Sequence, residues 1–429
     1  MFDEREKKDL DLLVETGNRQ AGKLSSMIVS NYFVGFPSEK QTESVYNEMI
    51  SYLEQAGIEV IDDGFGIEAE DEAAPMPEIR PFDPSKIDID MKTMELSSII
   101  KRLGYDEIDM NTDFQRKSGL WTEVQKSQLI ESLLLRIPIP AFYFDGGNKD
   151  KWLIIDGLQR ITALKEFVVD GTLKLSGMEF FHDLEGMKYS ELPRTFTRRI
   201  EETNIIAYIV KGGTPANVKY NIFKRINTGG LELKPQEIRH ALYQGPATKL
   251  CKELAELSEF REATTYSIRD DRMMDREFAL RFVAVCYYGT DRYEGIPDNY
   301  LNGAMEYLNS PDCAGEETIK KQFKRVMNAS RRIMGKYAFR KLGEDGIRRQ
   351  INKAIYEAWC KTLFSLDDGK IDQLVEKKNK VYDSFLKLCD DVGFLQAIKA
   401  SDKKSFLMRF IYIDGMLKEV LHDTKDGSE

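Results

Sequence analysis

Apolar residues recur at helical spacing through the first sixty positions. Leu10, Leu12 and Leu13 open one run, Leu24, Met27, Ile28 and Val29 a second, and Val45, Met49, Ile50 and Leu53 a third. Gly57 ends the third helix, and a short β-like run follows in GIEVID. This pattern predicts a small helical domain over residues 1–62. From Lys92 the pattern changes to short strands alternating with helices. MELSSIIKRL reads as an amphipathic helix, FQRKSGLW as a loop, and Thr122 to Leu135 as a helix capped by Thr122. Ile137 to Phe144, Lys151 to Ile155 and Ile205 to Val210 read as strands. Leu158 to Val169, Pro215 to Arg225 and a run from Pro235 to Leu242 read as helices. Such alternation predicts an α/β (α+β) sheet domain over residues 92–245. Residues 246–429 are helical throughout, with runs at Phe278 to Val283, Ile319 to Lys336, Ile347 to Leu363, Ile371 to Leu388 and Phe406 to Leu421.

Between the first two regions, residues 63–91 form a linker by composition. From Asp62 to Asp90 there are ten acidic residues against Arg80 and Lys86, interrupted by Pro75, Pro77, Pro81 and Pro84. That stretch cannot bury enough apolar surface to fold alone and reads as a self-repelling spacer. A chain of 429 residues, 42% hydrophobic and 31% charged, fits about two to four globular domains. Its net charge of -10 argues against indiscriminate coating of nucleic acid. The five cysteines, Cys251, Cys286, Cys313, Cys360 and Cys389, include no CxxC pair, so neither a thiolate zinc site nor a disulfide framework is indicated. No run reaches the roughly 18 apolar residues of a membrane helix, and MFDEREKKDLDLL lacks the features of a signal peptide. The expectation is a cytoplasmic protein with no membrane partner.

The segment WLIIDGLQRITAL carries the most chemistry. A β run ends at Ile155, Asp156 and Gly157 make a tight turn, and a helix begins at once. The first N–H groups of that helix have no partners within it and favour an anion over the turn. Gly157 lets a phosphate approach the backbone, and the fork of Arg160 suits phosphate oxygens. Asp156 can hold a ribose hydroxyl, a metal-bound water or Arg160 itself, and Gln159 can orient a water or read a base edge. The bland alternative is an Asp that only caps a helix and an Arg160 that only pairs with a surface carboxylate. Farther on, Asn227, Thr228, Gly229 and Gly230 favour a turn with exposed backbone donors, either a phosphate nest or a plain connection. Glu237 and Arg239 stand two apart on a helix, so one can face a site while the other supports structure. Gln115 and Arg116 lie on a loop before a helix, where polar groups can close over a ligand.

In these residues the chain resembles the DUF262 family, as found in GmrSD-type defence proteins, whose sheet domain is related to ParB and sulfiredoxin. The family's Asp-Gly-Gln-Gln-Arg motif is similar to Asp156, Gly157, Leu158, Gln159 and Arg160. Its Phe-Gln-Arg…Trp segment is matched by Phe114, Gln115, Arg116 and Trp121. The helix leading to a Pro-(Ile/Val)-Pro strand is matched by Ile130, Glu131, Ser132 and Pro138 to Pro140. Its Phe-x-x-Ile-Asn is matched by Phe223 to Asn227, and its Leu-x-x-x-Glu-x-Arg by Leu233, Glu237 and Arg239. The resemblance covers about Met94 to Leu242. It implies a ParB/sulfiredoxin-like domain that binds an NTP with Mg²⁺, in some members NTP hydrolysis or DNA cleavage, and service in phage defence. Asp156, Gln159 and Arg160 would be catalytic. Gln115, Arg116, Gly157, Arg160, Asn227 and Thr228 would hold the nucleotide, with Glu237 and Arg239 in support. Leu158 departs from the family glutamine and cannot polarise water, so turnover is expected to be weak and to rise in Leu158→Gln. An appended HNH nuclease is not expected either, because none of His182, His240 and His422 sits in such a setting.

Charge along the helical region is uneven. Between Lys320 and Lys353 twelve basic residues face only Glu344 and Asp345, a local charge of +10. Lys324, Arg331, Arg332, Arg340 and Lys341 are the candidate phosphate contacts for nucleic acid, DNA rather than RNA; a solvated face is the alternative. The first sixty residues resemble region 1.1 of primary bacterial sigma factors in their leading Leu-Leu stretch, short second helix and L-x-x-x-GIEV ending. That implies a transcription or defence partner protein, and an acidic linker that competes with nucleic acid for the basic segment. The chemistry leaves three functions open: a nucleotide-dependent nucleic-acid-binding protein, a metal-dependent nuclease using the central domain, and a non-enzymatic regulatory protein linked to transcription.

Overall fold

The computed structural model describes residues 2, 4–20, 22–61, 67–68, 88–110, 121–148, 150–226, 234–268 and 272–422. The chain divides into two compact units. One combines residues 1–78 with residues 243–429, and the other is residues 79–242. The segment expected as a domain of its own at residues 1–62 therefore shares one unit with the C-terminal helices. Most of the expected linker, and with it the proposed cover over the basic segment, lies outside the described residues.

In the first unit, the N-terminal segment runs α1 (Glu4–Arg19), β1 (Lys23–Ser25), α2 (Ser26–Phe33), α3 (Glu43–Gln55), β2 (Glu59–Ile61) and β3 (Ile67–Glu68). The three predicted helices form, and Gly57 leaves the last of them at φ 79°. β1 and β2 pair in parallel, which the hydrophobic pattern of three-residue strands does not announce. Leu10, Leu13, Leu24, Val29, Phe33, Tyr46, Met49, Leu53 and Ile58 pack into one core, and Tyr266, from two hundred positions later, completes it. Its ring stacks on Tyr46 at 4.9 Å and meets Phe33 edge-on at 5.3 Å. The Tyr46 hydroxyl donates to the Tyr266 carbonyl at 3.0 Å, and the Ser26 hydroxyl to the Ser267 carbonyl at 3.3 Å.

The second unit opens with β4 (Ile89–Glu95) and α4 (Leu96–Gly104), followed by β5 (Ile108–Asp109), α5 (Glu123–Leu134), β6 (Phe142–Gly146), β7 (Trp152–Asp156) and α6 (Leu158–Leu164). α7 (Arg194–Glu201), β8 (Asn204–Lys211), α8 (Ala216–Ile226) and α9 (Pro235–Leu242) complete it. Five strands form one mixed sheet in the order β4-β8-β6-β7-β5. β4 and β8 are antiparallel, β8 and β6 parallel, β6 and β7 antiparallel, β7 and β5 parallel. β4 corrects the linker boundary: Asp88 to Glu95 were read as linker and helix entry, but Ile89–Glu95 pairs along its length with β8. Its mostly exposed side chains carry little alternation, so only the partner strand reveals it. β6 starts at Phe142 rather than Ile137, because Pro138 and Pro140 cannot donate to a ladder.

Alternation along the strands buries both faces. Phe142, Phe144, Ile154, Ala207 and Ile209 are buried on one side. On the other, Ile155 and Val210 meet Tyr220 and Phe223 of α8 and Ile238 of α9. Lys219 of α8 clamps Asp145 of β6 with both carboxylate oxygens, at 2.6 and 2.7 Å. α5 begins with the expected cap, now a full capping box: Gln125 N donates to Thr122 Oγ1 and Thr122 N to Gln125 Oε1.

Glu131 on α5 is buried and organises the loop before α7. Its carboxylate accepts from the backbone N–H groups of Glu179, Phe180 and Phe181 at 2.8–3.0 Å. Burial alone would raise its pKa; the three donors outweigh burial and hold it below the ordinary glutamate value. A depressed carboxyl stabilises the fold above its unfolded-state pKa, and that contribution disappears as the pH falls through the folded-state pKa. Glu131→Gln should thus cost on the order of 2 kcal/mol at neutral pH. In chemical denaturation the gap to the parent should close once the pH is lowered past the ordinary glutamate range. A gap that stays constant down to about pH 3 would show that the charge of Glu131 contributes nothing.

The rest of the first unit is helical: α10 (Pro246–Ala255), α11 (Ser258–Ala263), α12 (Met274–Val283), α13 (Pro297–Leu308) and α14 (Glu316–Met334), then a two-residue β9 (Ile351–Asn352). After it come α15 (Lys353–Ser365), α16 (Asp368–Glu376), α17 (Lys378–Leu388), α18 (Val392–Lys399) and α19 (Lys403–His422). The helix expected from Ile347 starts only at Lys353, because Ile351 and Asn352 pair with Ile67 and Glu68. The helix expected over Ile371 to Leu388 is two helices, separated at Lys377. α12 is buried along its length, charged residues included. None of the five cysteines is in a disulfide. Among the described residues no helix is long and apolar enough to cross a membrane.

Candidate functional site

The Asp156–Arg160 turn sits where β7 ends and α6 begins, and its local sequence explains its shape. Gly157 stands at φ 100°, a conformation that side chains with a Cβ rarely adopt. A Cβ there would also lie 2.6 Å from the ring of Phe142, which is fully buried and cannot yield. The helix that follows runs from Leu158 through a π turn at Lys165–Val169, as the sequence pattern predicts.

Arg160 is turned inward. One Nη donates to the Ala141 carbonyl at 3.2 Å and, by a shorter contact, to the Pro140 carbonyl. The other donates to Asp156 Oδ2 at 2.7 Å. The guanidinium lies 4.7 Å from the ring centroid of Phe142. Its pKa is lowered by burial, against which the Asp156 charge and hydrogen bond pull upward. The fork expected for phosphate is thus engaged with the entrance of β6 and with Asp156. Asp156 is the more open partner, its side chain 35% exposed against 10% for Arg160. Leu158, read as a crippled catalytic position, is buried. A glutamine there would have to bury its amide, so Leu158→Gln costs stability unless that amide finds hydrogen-bond partners.

Gln159 joins two motifs that are far apart in the chain. Its side-chain oxygen accepts from the backbone N–H of Trp121 at 3.2 Å. Trp121 is therefore anchored beside the turn. Gln115 and Arg116 lie outside the described residues, as do Asn227 and Thr228. Glu237 and Arg239 are both buried. Glu237 accepts from Lys234 N at 2.6 Å at the start of α9. Arg239 donates to Gln236 at 3.2 Å and lies over the ring of Tyr220 at 5.6 Å.

One feature beside the turn escaped the sequence pattern. Tyr143 is the register partner of Asp156 on one side and of Tyr208 on the other. The two tyrosine rings stack at 4.7 Å and are half-buried. Burial, then Tyr208 and Asp156, raise the Tyr143 phenol pKa. The alternation in AFYFDG and NIIAYIV could have suggested one face, but only the strand register places these residues in a row. Among the described residues no group of three or more His, Cys, Asp or Glu side chains could hold a metal ion.

The basic run of the helical region is largely internal or paired. Arg340 is fully buried, which corrects its assignment to an exposed face that contacts nucleic acid. Lys324 pairs with Glu259 at 3.5 Å, Arg332 with Asp372 at 2.9 Å, and Arg331 with Glu262 by a closer contact. Lys320 meets Glu253 and Glu316, and Arg325 meets Asp368. Lys341 is half-buried. Apart from Glu316 of α14 itself, these carboxylates come from α10, α11 and α16, so part of the +10 excess along the chain is offset by pairs in space.

Compared with known proteins, residues 96–244 match the family model of the GmrSD restriction endonuclease, N-terminal domain. The match begins at the first residue of α4 and ends two residues past the second unit. Searches of curated proteins and of solved structures find no match.

Proposed function

We propose that the chain is a nucleotide-dependent nucleic-acid-binding protein of defence or DNA-maintenance type. The second unit, read as ParB/sulfiredoxin-like, would bind the phosphates of an NTP with Mg²⁺ at the Asp156–Arg160 turn. The meeting of Gln159 with Trp121 carries this reading, because it joins one residue of the upstream motif to the Asp156–Arg160 turn. The match of residues 96–244 to the N-terminal domain of a restriction endonuclease supports it. In this reading Gly157 lets phosphate reach the backbone and the opening N–H groups of the helix receive it. Arg160 holds Asp156 in place. Asp156 Oδ1 is left for a ribose hydroxyl or a water on Mg²⁺, a metal that needs only one or two carboxylates when phosphates complete its shell. The stacked Tyr143 and Tyr208 lie close enough to Asp156 to bound the ligand on one side. The test is calorimetric titration of the full chain with each of the four NTPs in Mg²⁺. Saturable binding of at least one is expected; no binding of any would overturn the reading.

The internal pairing of the basic helix favours a second reading for the whole chain, a regulatory protein that binds a partner and does not grip DNA through α14. The two readings differ in salt dependence. If DNA is bound there, neutralising Arg331, Arg332 and Lys341 together should weaken duplex binding and lower the log–log salt slope by about 1 per lost phosphate contact. Unchanged affinity across a salt series would remove α14 from the interface. A metal-dependent nicking assay on the same protein tests the nuclease alternative.

A further inference from the structure

Arg340 and Arg348 of the first unit are buried guanidinium groups that meet no carboxylate among the described residues. Arg340 is fully buried and Arg348 is 7% exposed. Arg340 donates to the Arg349 carbonyl at 2.6 Å, the Thr264 carbonyl at 3.2 Å, Thr265 Oγ1 at 3.3 Å and Ser267 Oγ at 2.6 Å. Its Nε has no partner. Arg348 donates to the Lys336 carbonyl at 3.2 Å and to Ser30 Oγ at 3.1 Å, with shorter contacts to Asn31 Oδ1 and Thr265 Oγ1. Both guanidinium groups reach the Thr265 hydroxyl, so the two charges lie side by side. Every one of these acceptors is neutral.

Elsewhere the same unit pairs two buried arginines with carboxylates. Arg281 pairs with Glu277 at 3.0 Å and with Glu357 at 2.6 Å, and Arg409 pairs with Glu357 at 3.1 Å. Carbonyls and hydroxyls satisfy hydrogen bonds but bring no negative charge to the buried Arg340 and Arg348. Burial accordingly lowers the pKa of Arg348 to about 10, and burial with the neighbouring Arg348 charge lowers that of Arg340 well below its ordinary value. Arginine does not escape such a position by giving up its proton near neutral pH. The walls are also constrained: Thr265, Tyr266 and Phe339 are non-glycine residues at φ 54°, 56° and 62°.

We propose that Arg340 and Arg348, with the hydroxyls of Ser30, Thr265 and Ser267, form a binding site for a phosphate-type oxyanion, which competes with Ser30 and Asn31 for Arg348. A tetrahedral dianion supplies the two missing negative charges. It offers an acceptor to Arg340 Nε and to hydroxyls that now serve only as local bridges. Because Ser30 and Asn31 belong to α2, filling the site loosens the N-terminal segment from the loop around Thr265. The site is independent of the Asp156–Arg160 turn, which lies in the other unit. The anion can be free phosphate or the terminal phosphate of a nucleotide, and the experiment separates these sources.

The test is calorimetry on the full chain with inorganic phosphate and, separately, with ATP, at constant ionic strength set by chloride. Asn31→Ala removes a neutral competitor and should tighten binding of the cognate anion several-fold. Arg348→Gln should weaken it by roughly tenfold or more. A gain with phosphate identifies the free anion, and a gain with ATP alone identifies a nucleotide. The Asp156–Arg160 turn cannot produce the Asn31 effect, so failure of that turn to bind NTP leaves this outcome readable. Equal affinity of parent and Asn31→Ala for both probes, or an affinity indifferent to Arg348→Gln (an adventitious ion only), overturns the proposal. Should Arg348→Gln not fold, the Asn31→Ala comparison decides alone.

Discussion

Glu357→Ala should destabilise the first unit by about 4 kcal/mol, the largest single-residue effect expected in the chain. Glu357 is buried on α15 and receives Arg281 from α12 on one oxygen and Arg409 from α19 on the other. Truncation removes the carboxylate, leaving the buried Arg409 without one while Arg281 keeps Glu277. The penalty comes from that stranded charge more than from the value of the pair itself, since desolvation offsets much of what a buried ion pair contributes. Glu357→Gln, which keeps the shape and removes the charge, should therefore cost nearly as much. Replacing Arg281, Glu357 and Arg409 together by apolar residues of similar volume should recover much of the loss. Urea denaturation followed by circular dichroism measures all three. A loss below about 1 kcal/mol in Glu357→Ala would mean that water or Glu277 takes over the neutralisation, and the account of a dry charge cluster would fail.

Arg160→Ala should cost the second unit about 2–3 kcal/mol and, in the same variant, abolish binding of phosphate ligands at the turn. The stability loss follows from what the side chain holds: two carbonyls at the entrance of β6 and the Asp156 carboxylate. The binding loss follows from Asp156, which loses its clamp. Two further variants separate positioning from direct contact. If Arg160 met phosphate itself, Arg160→Lys would keep part of the affinity, because a point charge still attracts an anion. In the inward geometry lysine cannot reproduce the fork, so Arg160→Lys should behave like alanine, and Asp156→Asn should reproduce the ligand defect with a smaller stability loss. Denaturation and NTP titration of the same samples read both effects. Retained affinity in Arg160→Lys, or normal binding in Asp156→Asn, would return Arg160 to the role of a direct phosphate ligand.

What the sequence determined by itself is local in origin. The turn at Gly157 is fixed because a residue at φ 100° facing a buried ring leaves room for glycine alone. The start of α5 is fixed because Thr122 and Gln125 satisfy each other within one turn. The helices of the first sixty residues and of the C-terminal region follow from apolar periodicity, and the alternation of strands and helices gives the mixed sheet. Tertiary structure decided whatever depends on a partner far along the chain. β4 is a strand only because β8 lies beside it. The charge excess between Lys320 and Lys353 is partly offset in space, because Glu253, Glu259, Glu262, Asp368 and Asp372 arrive from other helices to meet it, while Lys324, Arg331 and Arg332 stay exposed. Arg340 and Arg348 look like their exposed neighbours in the sequence, yet they are buried where α2 and the loop around Thr265 converge. Periodicity registers which side of a single helix or strand is apolar. It carries no information on which distant element covers that side, and that covering decides whether a charge meets water, a carboxylate or neither.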